Sequence, residues 1–189
     1  MAHREGPETA RRSHGFDRLA CTLESRMVLA HIRKRTVGVV AAENTHPFSS
    51  GRAVLVHNGT IAHHERLAAR TSAARAAAVR GATDSEWLFA FVCSRLDEHA
   101  TTAAALRAAV RELAALGDSG SASFLFSDGE RLFAHRLGRP LFTLVRGRVR
   151  ERRAASTAIA SQPLTREGWT ELPEGALVEI DSRGVRELD

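Results

Sequence analysis

The sequence predicts one domain of the α+β class, and three observations indicate it. The chain has 189 residues, of which 43% are hydrophobic, and this is enough to build one core. Strand-like runs come first along the chain and helix-like segments follow them. The strand-like runs of the C-terminal half then follow one another through turns without intervening helices, which favours antiparallel pairing over a parallel βαβ arrangement.

The hydrophobic period places the individual elements. Residues 1–13 are polar and are expected to be frayed, whereas residues 14–189 form the domain. Apolar residues at helical spacing predict helices at about 15–24, 61–69, 72–79, 84–98 and 101–116. Short apolar and β-branched runs predict strands at about 27–32, 53–56, 122–126, 131–135, 141–145, 157–160 and 176–180.

Two local signals mark boundaries in the middle of the chain. Thr83 is a capping residue, and Glu86 three positions later completes a capping-box pattern at the start of helix 84–98. Asn58-Gly59 follows the strand at 53–56, and both residues tolerate positive φ. This dipeptide therefore predicts a tight turn, which either only ends the strand or presents an Asn amide and a Gly N–H to a ligand.

The charge balance invites a nucleic-acid interpretation, which the arrangement of the arginines does not favour. The net charge is +5 and the isoelectric point is near 10.7. Most arginines stand singly among Ala and Glu, and the densest run, at 146–153, contains a Glu between two predicted strands. A solvated hairpin is the preferred interpretation of this run.

Cysteine usage and hydropathy indicate the compartment. Cys21 and Cys93 lie in helix-like segments, and there is no CxxC pair and no disulfide framework, which fits a reduced, cytoplasmic environment. No apolar run has membrane length and no secretory h-region is present, so the sequence predicts no membrane partner.

Four short motifs carry the functional signal. They are AHIRKRT at 30–36, ENTHPF at 43–48, HNG at 57–59 and GATDSE at 81–86. In this order and spacing they resemble the glutaminase domain of class II glutamine amidotransferases. The small stand-alone branch that includes the ergothioneine-pathway γ-glutamyl hydrolase is the most similar, and segment 159–175 resembles that branch too.

This resemblance implies a fold and an activity. The fold is that of the N-terminal-nucleophile hydrolases, an αββα sandwich of two antiparallel sheets between helix layers. The activity is binding of glutamine or a γ-glutamyl amide, with hydrolysis of the side-chain amide and without a cofactor. No acceptor or synthase domain is recognisable, so hydrolysis of a γ-glutamyl bond is favoured over ammonia transfer.

The resemblance also implies roles for individual residues. Arg33 is expected to bind the substrate carboxylate with its planar fork, and Asp84 to accept hydrogen bonds from the ammonium. Asn58, through its side-chain amide, and Gly59, through its backbone N–H, are expected to form the oxyanion hole.

Thr36 and His46 complete the expected substrate-binding set. Simpler interpretations stay open for its charged members, since Arg33 can pair with a surface Glu and Asp84 can be only a helix cap.

Histidines crowd this region without a metal-binding pattern. They are His31, His46, His57, His63 and His64, and their spacings match no zinc motif, so no metal is expected. His46 and His57 are expected to shape the loop and brace the turn through ring hydrogen bonds, and His63 and His64 to be exposed.

The sequence departs from the family at the nucleophile. These enzymes use an N-terminal cysteine, whereas removal of Met1 here would expose Ala2. Cys21 is expected to be buried and inert, and Cys93 to be a core residue. Three explanations compete: a misassigned start or truncated gene, a degenerate homologue that binds without hydrolysing, and a partner chain that adds the missing strands. An open sheet edge would predict self-association.

Overall fold

The computed structural model describes residues 14–32, 42–117, 120–147, 156–181 and 184–188, which form two antiparallel sheets with helices. The helices are α1 His14–Thr22, α2 Glu65–Ala68, α3 Ala73–Ala76, α4 Asp84–Glu98 and α5 Thr102–Ala115, and a 3₁₀ turn spans Ala42–Asn44. The strands are β1 Phe48–Ser50, β2 Ala53–Ile61, β3 Gly120–Ser127, β4 Leu132–His135, β5 Phe142–Arg146, β6 Ser156–Ala160, β7 Thr170–Glu171, β8 Leu177–Asp181 and β9 Gly184–Glu187.

The larger sheet has six strands in the order β1-β2-β3-β4-β8-β9, and the smaller sheet has the order β6-β5-β7. Every neighbouring pair is antiparallel. The longest pairing joins β2 to β3, from Val54 opposite Ser127 to Ile61 opposite Gly120. This architecture confirms the predicted α+β class with two antiparallel sheets.

Two apolar clusters lie on opposite faces of the six-stranded sheet. The larger one joins the sheet to α4 and α5, and its fully buried aromatic side chains are Phe91, Phe124, Phe126 and Phe133. The smaller one joins β4 and β8 to the three-stranded sheet; its buried members are Ala134, Leu141, Leu172, Ala176, Val178 and Ile180. The layers are therefore helix, sheet and sheet. Among the side chains of α1 whose burial the structure describes, none is buried in this stack.

Thr83 caps the start of α4 as the sequence predicts, but only one of the two hydrogen bonds of a capping box is formed. The Thr83 hydroxyl accepts the Glu86 N–H at 3.2 Å. The buried Glu86 carboxylate does not return to Thr83; it accepts the N–H groups of Arg80 at 2.9 Å and Gly81 at 2.6 Å. Glu86 therefore anchors the segment before the helix.

The predicted strand over 27–32 is wrong. These residues pair with no strand in the described part of the chain, and Val28 and Ile32 are exposed. Side chains hold the segment instead: the Ser127 hydroxyl donates to Met27 Sδ at 3.0 Å, and His31 Nε2 donates to the His57 carbonyl at 3.1 Å. A β-branched run becomes a strand only where a sheet edge accepts its backbone groups.

The predicted turn at Asn58-Gly59 is also wrong. Strand β2 continues through both residues to Ile61, since β3 pairs with it throughout. Gly59 is not among the glycines with positive φ. A long ladder outweighs the turn preference of two residues.

The predicted strands of the C-terminal half are confirmed, and the structure adds three short strands to the predicted set. The sequence analysis missed β1, β7 and β9, which have two to four residues and little hydrophobic period. The predicted hairpin is consistent with the antiparallel pairing of β5 and β6. Arg146 pairs with Glu167 there, and 148–153 lie outside the described residues, as do 1–13.

The cysteines differ in environment. Cys93 is buried in the larger cluster as expected, and burial raises the pKa of its thiol to about 11. The prediction for Cys21 is wrong: it was expected to be buried and is exposed on α1, as are its neighbours Ala20 and Thr22.

Candidate ligand-binding site

The predicted site residues of the described chain meet where the end of β2 approaches the start of α4. The link between the two elements is the Asp84 carboxylate, whose Oδ2 accepts the Ile61 N–H at 2.7 Å. Its Oδ1 accepts the Ser85 N–H at 2.9 Å, as expected of an acidic side chain in the first turn of a helix. An ionised carboxylate has about four lone-pair sites, so two contacts leave capacity for a further donor.

His57 makes a second bridge between β2 and α4. Its Nε2 donates to the Ser121 carbonyl at 3.3 Å, because a carbonyl oxygen can only accept. Its Nδ1 then accepts from the Ser85 hydroxyl at 2.8 Å. Burial lowers the pKa of His57, while the Asp84 charge and the Ser121 carbonyl oppose this shift. The ring is therefore a neutral strut that fixes the helix start against the sheet.

A row of aromatic rings borders the same region. The ring centroids of His31 and His46 lie 4.0 Å apart, and His46 contacts the edge of Phe48 at 4.8 Å. His46 is buried. The His31 ring also donates to the His57 carbonyl, so the ring contact between His31 and His46 connects His46 to β2. His46 therefore lies in the same region as Asp84 and the end of β2.

Gly59 lies where no side chain fits. A Cβ atom there would stand 2.2 Å from the Ser121 carbonyl oxygen and 2.7 Å from His57 Nε2. Two backbone groups on either side of Gly59 point away from β3. The His57 carbonyl accepts from the His31 ring, and the Ile61 N–H donates to the Asp84 carboxylate. Since backbone groups of alternate residues in a strand point to the same edge, the Gly59 N–H points to the edge that carries Asp84.

Asn58 occupies the adjacent position and is exposed, with its side chain on the face of the sheet opposite His57. Its cross-strand partner is Ser123, which is fully buried. The Ser123 hydroxyl accepts the Leu137 N–H at 2.9 Å and contacts the Arg139 carbonyl at 2.6 Å. The loop between β4 and β5 is thereby held beside Asn58.

The structure brings together four of the six predicted site residues. His46, Asn58, Gly59 and Asp84 lie around the end of β2, whereas Arg33 and Thr36 lie outside the described residues. The sequence analysis missed Ser85 and Ser123. Ser85 stands directly after Asp84 in the fourth motif, so its position was the available signal, while nothing in the sequence marks Ser123.

Neither nucleophile nor metal ligands are evident in this region. Cys93 is buried with a raised pKa, which disfavours the reactive thiolate. Within the part of the chain that the structure describes, no three His, Cys, Asp or Glu side chains form a cluster that could hold a metal ion. No helix among these residues has the length and apolar character that crossing a membrane requires.

The sequence matches the family described as class-II glutamine amidotransferases over residues 12–153. The chain belongs to this family. A γ-glutamyl-hercynylcysteine sulfoxide hydrolase of Mycobacterium tuberculosis is 30% identical over 173 residues, which are 90% of this chain and 65% of the hydrolase. A glutamine--fructose-6-phosphate aminotransferase of Pseudomonas syringae is 33% identical over 165 residues, 87% of this chain and 26% of that enzyme. The class II domain thus spans about a quarter of the aminotransferase length and about two thirds of the hydrolase length.

Solved structures support the same fold. A glutamine aminotransferase class-II domain protein from Silicibacter pomeroyi superposes with a TM-score of 0.74 at 25% identity, covering 99% of this chain and 84% of that one. A glutamine phosphoribosylpyrophosphate amidotransferase from B. subtilis superposes with a TM-score of 0.60 at 16% identity, covering 83% of this chain and 33% of that one. The neighbours confirm the predicted fold of two antiparallel sheets and helices.

Proposed function

We propose that this class II domain binds glutamine or a γ-glutamyl amide at the edge of β2. The observation that carries the proposal is the Asp84 carboxylate, which is fixed by the Ile61 N–H two residues from Gly59. The carboxylate accepts the substrate ammonium, and Arg33 binds the substrate carboxylate as a bidentate fork. Thr36 and His46 complete the proposed substrate-binding set.

Asn58 and Gly59 receive the other end of the substrate. The Gly59 N–H and the Asn58 side-chain amide donate to the oxygen of the side-chain amide. If the amide is attacked, these fixed donors stabilise the charge that develops on this oxygen, typically by about 3–4 kcal/mol per donor. The Ser121 carbonyl and the His57 ring leave no room for a side chain at Gly59, which supports a role that requires the bare backbone.

Hydrolysis of the bound amide is the activity that we propose, and binding without turnover is the alternative. The relatives include a protein named as a hydrolase, which favours the first. The cysteines favour the second. Cys93 is buried and the pKa of its thiol is about 11, Cys21 lies on α1, and neither cysteine takes part in the site contacts described above. Nucleic-acid binding through 146–153 is the least favoured function, and Arg146 is already paired with Glu167.

Calorimetry with glutamine and with γ-glutamylglycine tests the binding step. We expect saturable heat from the parent chain and a loss of roughly 10- to 100-fold in affinity for Asp84→Asn, the range of a hydrogen bond to a charged group. Asparagine keeps one oxygen, which can accept the Ile61 N–H, but its NH₂ group cannot accept the Ser85 N–H. Urea denaturation of the variant therefore checks that the helix start is retained. Asp97→Asn at the other end of α4 is the matched control and should bind as the parent does. Absence of heat with both compounds would contradict the proposal.

An ammonia assay then separates the two candidates. Water and glutamine give glutamate and ammonia, so release above the buffer rate that Asp84→Asn abolishes identifies the amidohydrolase. Binding without ammonia release, and without glycine release from γ-glutamylglycine, identifies the binding module. Cys21→Ser and Cys93→Ser show whether either cysteine contributes to any turnover.

A further inference from the structure

The loop between β4 and β5 is the part of the site that the family roles leave unassigned. It runs over 136–141, and three contacts press it onto the face of β3. The Ser123 hydroxyl holds Leu137 and Arg139, and a Cβ on Gly138 would lie 2.8 Å from Ser121 Cβ. The Leu137 carbonyl accepts the Ala122 N–H at 2.9 Å, so Leu137 lies on the side of β3 away from β2. The chain then turns over the face of β3 to Arg139, whose carbonyl accepts the hydroxyl of Ser123, the residue opposite Asn58.

A half-buried cation, Arg136, fixes this loop from its other side. The Arg136 guanidinium bonds to Glu171 at 2.8 Å, to Glu174 at 3.4 Å and to the Leu172 carbonyl. Glu174 also accepts the Gly138 N–H at 2.6 Å. The acidic side chains of this cluster are thus already bound, and the loop is held by hydrogen bonds at both ends.

Arg139 is the charged residue of the loop that has no such partner. It is exposed, and among the residues that the structure describes no carboxylate forms an ion pair with it. Arg139 differs in this respect from Arg136, the other cation of the loop. Arg136 pairs with carboxylates of the fold, whereas Arg139 is a long, flexible cation on a well-held loop near Asn58. Its free charge suits an anionic group of a bound molecule.

We infer that Arg139 selects γ-glutamyl amides whose amine half carries a carboxylate. This inference rests on the proposed function, in which the γ-glutamyl half occupies Arg33, Asp84 and the end of β2. The amine half of the amide then extends beyond Asn58 towards the loop. A carboxylate there accepts hydrogen bonds from the Arg139 guanidinium, whereas glutamine ends at its NH₂ group and gains nothing from this residue.

Two substrates that differ in one group test the inference. γ-Glutamylglycine ends in a carboxylate, and γ-glutamylethylamide has a methyl group at the same place. We expect the parent chain to bind the first roughly tenfold more tightly, as for one charge-assisted hydrogen bond. Arg139→Gln should remove this ratio and leave the affinity for glutamine unchanged, and Arg139→Lys should restore part of it. High salt should shrink the ratio in the parent.

Arg111→Gln on α5 is the matched control, since Arg111 is also exposed and lies on the helix side of the sheet. It should preserve the ratio. An unchanged ratio in Arg139→Gln overturns the inference, and so does an equal loss for all three ligands, because that pattern indicates a general effect on the loop. Failure of the parent to bind any of the three removes the proposed function, and this inference with it. Binding of all three without preference removes only the inference.

Discussion

The two faces of the six-stranded sheet differ in what their side chains contact. On the face towards the helices, strands β2 and β3 present Leu55, Phe124 and Phe126 to a closed apolar layer with α4 and α5. On the outward face, which lies away from the helices and packs in part against the three-stranded sheet, the same strands present Asn58 and the hydrogen-bonded Ser123. One ladder thus separates the residues of the larger apolar cluster from Asn58 and from the Ser123 hydroxyl that holds the loop between β4 and β5.

This difference has a physical origin. Cross-strand partners share a face, so a single register decides both surfaces at once. The pairing of Leu55 with Phe126 fixes the apolar layer, and it also places Asn58 opposite Ser123. We therefore expect neighbouring residues in β3 to respond very differently to truncation.

The largest expected effect comes from Phe126→Ala. Phe126 is fully buried, so its removal leaves a cavity and should lower the free energy of unfolding by about 3–5 kcal/mol. Leu125→Ala is the matched change on the outward face. Leu125 is half-buried, and its loss should cost about 1–2 kcal/mol. Urea denaturation followed by circular dichroism measures both, and equal costs would contradict the separation of the faces.

His135 provides a pH-dependent test of the helix-facing layer. Burial lowers its pKa to about 4, although a hydrogen bond to the Ala176 carbonyl and the charge of Glu174 oppose the shift. The unfolded chain therefore binds more protons than the folded one between about 4 and the ordinary value of 6.5. The free energy of unfolding should fall by about 3 kcal/mol as the pH drops through this window, and the loss should be complete below the folded pKa.

His135→Gln isolates this contribution. Glutamine can donate to the Ala176 carbonyl but does not titrate. Urea denaturation at pH 7, 5.5 and 4 should show a shallower decline for the variant than for the parent, with the difference appearing below pH 6.5. Parallel declines would mean that protonation of His135 does not limit acid stability.

Gly59→Ala tests how closely β2 and β3 must approach each other at the candidate site. The added Cβ meets the Ser121 carbonyl oxygen at 2.2 Å, so β2 and β3 must separate, and we expect a cost of about 1–3 kcal/mol together with weaker binding of glutamine. Gly168→Ala is the matched control, because nothing lies within 4 Å of a Cβ at that position. The control should denature and bind as the parent does, and a similarly mild effect at Gly59 would show that the strands can separate freely.

Elements with local signals in the sequence are predicted correctly, whereas those that depend on distant partners are not. Helix α4 was predicted correctly because Thr83 and the amphipathic stripe are local signals. The resemblance carried by the four motifs also predicted that Asn58, Gly59 and Asp84 belong to one site, and the structure places Asp84 against the end of β2. The strand over 27–32 and the turn at Asn58-Gly59 failed for one reason. Whether a segment pairs depends on a partner far along the chain, and β3 begins 59 positions after the end of β2.

The sequence did not predict the role of Ser123 for the same reason. A serine in a strand carries no signal by itself, and its importance arises only when the register sets it opposite Asn58 and under the loop of Arg139. Ring contacts such as that between His31 and His46 were equally unavailable, because they join segments whose relative placement is tertiary.

The smallest structural change is Ser123→Ala on the outward face, which removes one hydroxyl group. The change leaves the Leu137 N–H and the Arg139 carbonyl without their buried partner, which should lower the free energy of unfolding by about 1–3 kcal/mol, towards the lower end if water reaches the loop. Because the loop is then held less firmly beside Asn58, the preference for γ-glutamylglycine over γ-glutamylethylamide should fall while glutamine binding stays. Ser49→Ala, at an exposed position of β1, is the control and should change neither. Chemical denaturation and calorimetry on the same samples measure both quantities, and loss of stability without any change in preference would show that Ser123 supports the fold but does not position Arg139.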